Sequence, residues 1–187
     1  MKTKLPTVTH AVVAFNEEGN IKAHLESVLT QKVAGFKLKK ILVVSDGSTD
    51  ATNKIVDRIK DRKIEFWKFK NRLGKSERLN QVYAYVNTDI LVQSDADVIL
   101  GHSRVLSALI KSQKRNKNVM LAGGNPTPLP GETFIEKAVN VTTEVYRSFR
   151  DSVGNGHNVF SADGRLLALR RDFYQMIRVP KPMIAND

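Results

Sequence analysis

The sequence predicts an α/β fold, with a mainly parallel sheet flanked by helices. Short apolar runs recur along the first 124 residues, too brief for helices and rich in Val, Ile and Leu. Between them lie segments whose apolar residues fall at helical spacing. After several runs comes a polar loop of Asp, Asn, Gly and Ser, the composition that ends a strand and opens a helix. Strands alternating with helices imply right-handed βαβ crossovers, hence parallel pairing.

Val8 to Ala14 reads as the first strand, after which Asn16 offers an N-cap to a helix with Ile21, Leu25, Val28 and Leu29 on its apolar face. Ile41 to Val44 is a continuous apolar run, as a strand covered on both faces requires. Asp46-Gly47-Ser48-Thr49-Asp50 follows, leading to a helix with Ile55, Val56 and Ile59. Ile64 to Phe69 gives a third strand, in which Trp67 is a sheet-packing residue. A basic loop then leads to a helix through Leu79, Val82, Tyr83 and Val86. Ile90 to Gln93 is the fourth strand, and the helix beyond it carries Val105, Leu106, Leu109 and Ile110. At Asn125-Pro126-Thr127-Pro128-Leu129-Pro130-Gly131 the alternation stops in a connector. Residues 132–151 predict a longer amphipathic helix, with Ile135, Val139, Val145, Tyr146 and Phe149 among its buried candidates. The glycine-rich loop around His157, a strand from Leu166 to Leu169 and a short helix from Arg171 to Ile177 complete the chain.

The 187 residues suffice for one domain with a substantial core. There is no cysteine, which excludes disulfides and thiolate chemistry. No apolar run reaches the roughly 20 residues that span a bilayer, and the basic start from Met1 to Pro6 leads into no apolar signal core. A cytoplasmic location is expected. A net charge of +11 draws anions: nucleotide phosphates, acidic lipid headgroups or nucleic acid. Nucleic acid is disfavoured as a partner, since 7% aromatics supply little stacking surface and no zinc-finger or RNP-type motif occurs. Neither Gly-x-Gly-x-x-Gly nor a P-loop follows any strand, which disfavours a dinucleotide-dependent dehydrogenase and an ordinary P-loop kinase.

Ligands of open α/β sheets bind beyond the carboxyl ends of the strands, where the loops at Phe15-Asn16-Glu17, Asp46-Gly47-Ser48 and Asp95-Ala96-Asp97 converge. Leu91 to Asp97 is the most telling of them, a strand ending in two carboxylates spaced i, i+2. Hard cations take such oxygens, one or two from protein and the rest from water and phosphates, a chemistry suited to a diphosphate substrate. An isolated Asp-x-Asp is also a common solvated turn.

Together, Ala14-Phe15-Asn16-Glu17-Glu18, Ser45-Asp46-Gly47-Ser48-Thr49-Asp50, Gly74-Lys75-Ser76-Glu77-Arg78-Leu79-Asn80 and Ser94-Asp95-Ala96-Asp97 resemble, in order and spacing, the motifs of family 2 glycosyltransferases. The resemblance covers nearly the whole chain. It implies a GT-A fold in one catalytic domain, residues 1–187, with a Rossmann-like nucleotide-sugar-binding half at 1–124 and an acceptor-side half, expected to be incomplete, at 125–187. It also implies a nucleotide-diphosphate sugar donor, a UDP-sugar above all, a divalent ion (Mg²⁺ or Mn²⁺) and inversion at the anomeric carbon.

Carried over residue by residue, the resemblance gives Asp46 a hydrogen bond from the base and sets Phe15 and Glu17 along the nucleoside pocket. Lys75 and Arg78 fall in the donor-contacting loop, Asp95 approaches ribose and metal, and Asp97 is the direct metal ligand. Ser45 stands where relatives commonly carry a second acid. The general base is Asp187, downstream of Arg170-Arg171, although Asn186 stands where Glu is common. His157 is a weaker acceptor-side candidate. The acceptor is a carbohydrate or lipid-linked molecule, and relatives continue into membrane-associated helices. Sequence beyond this chain would then bring the domain to the inner face of a membrane, where its charge suits an anionic surface. Two other readings are a non-catalytic nucleotide-sugar-binding domain and a basic membrane or nucleic-acid interaction module.

Overall fold

The computed structural model describes residues 4–116, 118–153 and 163–180. Among these, six strands and six helices alternate: β1 (Thr7–Ala14), α1 (Ile21–Leu29), β2 (Lys37–Asp46), α2 (Thr52–Arg58), β3 (Ile64–Phe69), α3 (Lys75–Tyr85), β4 (Ile90–Ser94), α4 (Val105–Arg115), β5 (Leu121–Gly123), α5 (Phe134–Ser152), β6 (Leu166–Arg170) and α6 (Arg171–Tyr174). The strands form one sheet in the order β3-β2-β1-β4-β6-β5. β1 pairs in parallel with β2 and β4, and β2 with β3. β6 runs antiparallel to both β4 and β5.

Two apolar layers cover the sheet, as strand periodicity requires. Val8 and Val12 of β1, Ile41 and Val43 of β2, and Ile90 and Val92 of β4 point to one face. There they meet Ile21, Leu25 and Val28 of α1 and Leu106 and Ile110 of α4. The alternate residues Ala11, Leu42, Val44 and Leu91 point the other way, onto Leu79, Val82 and Tyr83 of α3 and Tyr174 of α6. Burial on both faces explains why these strands read as continuous rather than alternating apolar runs.

The expected elements are all present, with differences at their edges. β2 begins at Lys37 because its polar first residues pair with β1 at the sheet's end, Thr7 opposite Lys37. Asn16 does not cap α1. It holds a left-handed φ of 55°, and its side-chain oxygen accepts the Thr49 N–H at 2.8 Å. The N-cap is Asn20, whose side chain caps nothing. The three-residue β5 had no sequence signature and owes its strand geometry to pairing with β6, Leu121 opposite Leu169.

The chain divides into two compact units, one of residues 1–124 and 164–187, the other of residues 125–163. The second is built on α5, which starts in a capping box: the Glu136 N–H donates to the Thr133 hydroxyl at 3.2 Å, and the Glu136 carboxylate accepts the Thr133 N–H at 2.9 Å. Its connector is tied down by Asn140, whose amide donates to the Leu129 carbonyl at 2.7 Å. Contrary to expectation, Ile135, Val139, Val145, Tyr146 and Phe149 are exposed. With Phe134 they share one side of the helix, so the amphipathic period is real although its apolar side chains are exposed.

Candidate active site

Strand order reverses at β1: the chain steps outward through β2 and β3 on one side and returns to place β4 on the other, and the crevice of the sheet opens at that point. The loops after β1 and β2 are stitched together there. Backbone N–H groups of Asn16, Glu17 and Glu18 donate to the side chains of Ser48, Thr52 and Asp50, and the Ala51 N–H donates back to Glu18. Phe15 and Glu17, both half-buried, are thereby fixed along one wall of a cavity of about 240 Å³.

Asp46, at the end of β2, lies under that cavity and is almost wholly buried. Its Oδ1 accepts the Leu73 N–H at 2.9 Å and the Arg78 Nε–H at 2.6 Å, while its Oδ2 accepts the Gly74 N–H at 2.7 Å. Arg78 is equally buried; it donates further to the Asn71 carbonyl and the Gln81 side chain, and its guanidinium stacks on Phe69 at 3.5 Å. Three hydrogen bonds and an aromatic face meet the needs of a buried guanidinium. This clamp fixes the loop from Asn71 to Lys75. Gly74 within it has a φ of 90°, a conformation L side chains rarely adopt.

The clamped loop delivers Lys75 to the cavity, where its ammonium meets Asp95 Oδ1 at 2.5 Å. Asp95 and Asp97 line the same cavity, Asp97 with an exposed side chain. The Asp95 N–H donates to the Arg165 carbonyl just before β6, which anchors the start of the acidic turn. The structure therefore brings Phe15, Glu17, Asp46, Lys75, Asp95 and Asp97 to one cavity, with Arg78 buried directly behind Asp46. Sequence reasoning missed Arg72, which lines the cavity with its guanidinium 4.0 Å above the Phe15 ring. Its only signal was membership of the basic loop before α3. Trp67 packs in the sheet as expected, edge-on to Tyr85 and Phe69. Asp187 and His157 lie outside the described residues.

Two carboxylates with open access are a donor set that fits Mg²⁺ or Mn²⁺, which take few protein ligands and fill their shells with water and phosphate oxygens. Among the described residues no three His, Cys, Asp or Glu side chains gather as a closed metal cage would require. No helix of the described residues is long and apolar enough to cross a membrane.

The profile of glycosyl transferase family 2 matches residues 9–177. The chain belongs to this family. Its fold is of the GT-A type. Poly-beta-1,6-N-acetyl-D-glucosamine synthase of Staphylococcus aureus (strain MSSA476) is 27% identical over 124 residues, 66% of this chain but 29% of the synthase. Among solved structures, a mannosyltransferase from Pyrobaculum calidifontis in complex with GDP-Man and Mn²⁺ superposes with a TM-score of 0.77 at 22% identity, covering 99% of this chain and 50% of that one. Glucosyl-3-phosphoglycerate synthase from Mycobacterium tuberculosis, solved with Mn²⁺, UDP and phosphoglyceric acid, superposes with a TM-score of 0.60 at 20% identity, over 89% of this chain and 56% of that one. The family 2 chain thus spans under a third of the curated synthase and about half of each solved relative.

Proposed function

We propose that this domain transfers a sugar from a nucleotide-diphosphate sugar, a UDP-sugar, to an acceptor hydroxyl with inversion, and that Asp97 and Asp95 hold the Mg²⁺ or Mn²⁺ the reaction uses. The observation that carries this reading is the meeting of Asp95, Asp97 and Lys75 in one cavity at the carboxyl ends of β1, β2 and β4. Two acids and an ammonium in one cavity suit a diphosphate with its counter-ion. When bound, the divalent ion offsets the diphosphate charge and stabilises the departing nucleotide as a Lewis acid.

The residues divide the remaining work. Phe15 and Glu17 line the nucleoside end, and Arg72 closes over Phe15. Asp46 accepts a base N–H through Oδ2, which takes a single hydrogen bond and has a lone pair to spare. Arg78 holds that carboxylate in place. Lys75 exchanges Asp95 for a donor phosphate oxygen. Asp187 takes the proton of the acceptor hydroxyl as its oxygen bonds the anomeric carbon and the bond to the UDP oxygen breaks. The acceptor is a carbohydrate or a lipid-linked molecule, and the +11 charge supports work beside an anionic membrane surface.

Thermal-shift titrations with UDP, GDP, CDP and dTDP, with and without Mn²⁺, test the donor side. UDP with Mn²⁺ is expected to give the largest rise in Tm, and Asp97→Ala to abolish its metal-dependent part while leaving the ligand-free Tm unchanged. Absence of any nucleotide response would overturn the reading. Asp187→Asn is expected to block transfer while leaving UDP binding intact; full transfer by that variant removes Asp187 from the mechanism.

A further inference from the structure

A polar island lies in the apolar layer between the sheet and α1. His10 of β1, Ser94 of β4 and His24 of α1 are all buried, amid Val8, Val12, Leu25 and Val92. Ser94 Oγ lies 3.0 Å from His10 Nε2 and 3.1 Å from His24 Nε2, and the two imidazole nitrogens are 3.3 Å apart. His24 Nδ1 lies 2.6 Å from the carbonyl of Val98, one residue beyond Asp97.

The proton positions follow from donor and acceptor chemistry. A carbonyl only accepts, so His24 carries its hydrogen on Nδ1. Burial, the largest influence, holds both rings below the ordinary imidazole value, and the Val98 carbonyl, Asp97 and Asp95 only partly offset it for His24. Both rings are therefore neutral near pH 7, and His24 Nε2 is a bare lone pair that must accept. His10 Nδ1 has no hydrogen-bond partner among the described residues, whereas its Nε2 has acceptors within reach. A buried lone pair left alone is tolerated better than an orphaned N–H, so the His10 hydrogen sits on Nε2. One direction satisfies the rest: His10 Nε2–H donates to Ser94 Oγ, Ser94 O–H to His24 Nε2, and His24 Nδ1–H to the Val98 carbonyl.

We propose that this His10–Ser94–His24 relay is a positioning device for the acidic turn, with His24 holding the exit of the Asp95–Val98 turn so that Asp97 presents its carboxylate to the donor-bound metal. The turn is fixed at its start by the Asp95 N–H on Arg165. At its exit His24 grips Val98, and Ser27, also of α1, accepts the Leu100 N–H at 3.0 Å. Asp97 itself is exposed and relies on these flanks for its placement. The role of Asp97 rests on the function proposed above; the anchoring of the turn does not.

Two substitutions separate the halves of the imidazole. His24→Asn sets an amide N–H where Nδ1–H lies and keeps the grip on Val98. His24→Gln sets its amide near the Nε2 end, toward Ser94 and His10, and loses that grip. Calorimetric titration with UDP, with and without Mn²⁺, is expected to show Mn²⁺-dependent binding about tenfold weaker in His24→Gln and near wild type in His24→Asn, with metal-free UDP binding the same in all three. Folded variants with equal Mn²⁺-dependent affinity, or equal losses in both, overturn the relay's role. If the wild-type domain binds no UDP with Mn²⁺, the proposed function falls, and two ligand-free measurements still judge the anchor. Nitrogen NMR of the wild-type protein is expected to show His24 protonated on Nδ1 and bare on Nε2; the opposite tautomer refutes the assignment. Amide exchange at Val98 and Leu100, whose N–H groups are hydrogen-bonded at the turn exit, is expected to quicken at least tenfold in His24→Gln and not in His24→Asn; unchanged exchange in both refutes the anchor.

Discussion

Asp46 is held in a nearly waterless site by two backbone N–H groups and the Arg78 guanidinium, which surround it. Arg78→Leu removes the counter-charge and leaves the acid buried, a loss of about 3–5 kcal/mol to be read from urea denaturation. The double variant Asp46→Asn, Arg78→Leu recovers part of that loss, since no charge is then stranded; further destabilisation by the second change would contradict a clamp. Lys75 is more exposed, and under the proposed function it answers to ligand rather than to fold. Lys75→Met is expected to leave Tm unchanged and to weaken Mn²⁺-dependent UDP binding by roughly ten- to a hundredfold, the range for one charge-assisted hydrogen bond. The lining of the candidate cavity was largely legible at this scale, because the motifs on which the family resemblance rests carry Phe15, Glu17, Asp46, Lys75, Asp95 and Asp97. Arg72 was not, since one arginine in a basic loop looks like its neighbours until its guanidinium is seen over Phe15.

The loop after β2 shows how tightly the elements constrain one another. Gly47 has a φ of 77°, and a Cβ there would lie 2.8 Å from the Arg72 nitrogen and 3.0 Å from the Asn71 carbonyl carbon. Gly47→Ala is therefore expected to lower stability by more than the roughly 1 kcal/mol of an ordinary glycine replacement and to weaken UDP binding with it, because the displaced backbone carries Lys75. In α5, Thr133→Ala opens the capping box at a cost of about 1 kcal/mol, visible as faster amide exchange over residues 134–137 with the sheet unaffected. Strands and helices were readable where both faces of the sheet are covered, since burial writes itself as apolar runs. β5 escaped because three residues hold no period, and Asn16 misled because an Asn before a helix serves a left-handed turn as readily as a cap. The apolar period of α5 announced a helix but carried no information about what, if anything, covers it.

Over the whole molecule, the buried histidines make stability depend on pH. Folded His10 and His24 resist protonation, so below the ordinary imidazole value of 6.5 the unfolded chain binds more protons than the folded one. Stability then rises as pH increases toward 6.5 and levels above about 7, with a limiting slope of about 1.4 kcal/mol per pH unit for each imidazole. Urea melts between pH 5.5 and 7.5 check this, and His10→Phe should flatten the dependence. The path of the chain through the sheet has a separate consequence. β5 and β6 pair antiparallel, Gly123 opposite Leu167, and the Gly124 N–H donates to the Leu166 carbonyl at 2.8 Å. The 39 residues from Asn125 to Asp163 therefore leave and re-enter at one rung of a hairpin. A tight turn between Gly124 and Gly164 would close that hairpin as well, so a variant lacking the segment is expected to keep the six-stranded sheet, which the cooperativity of its urea melt would check.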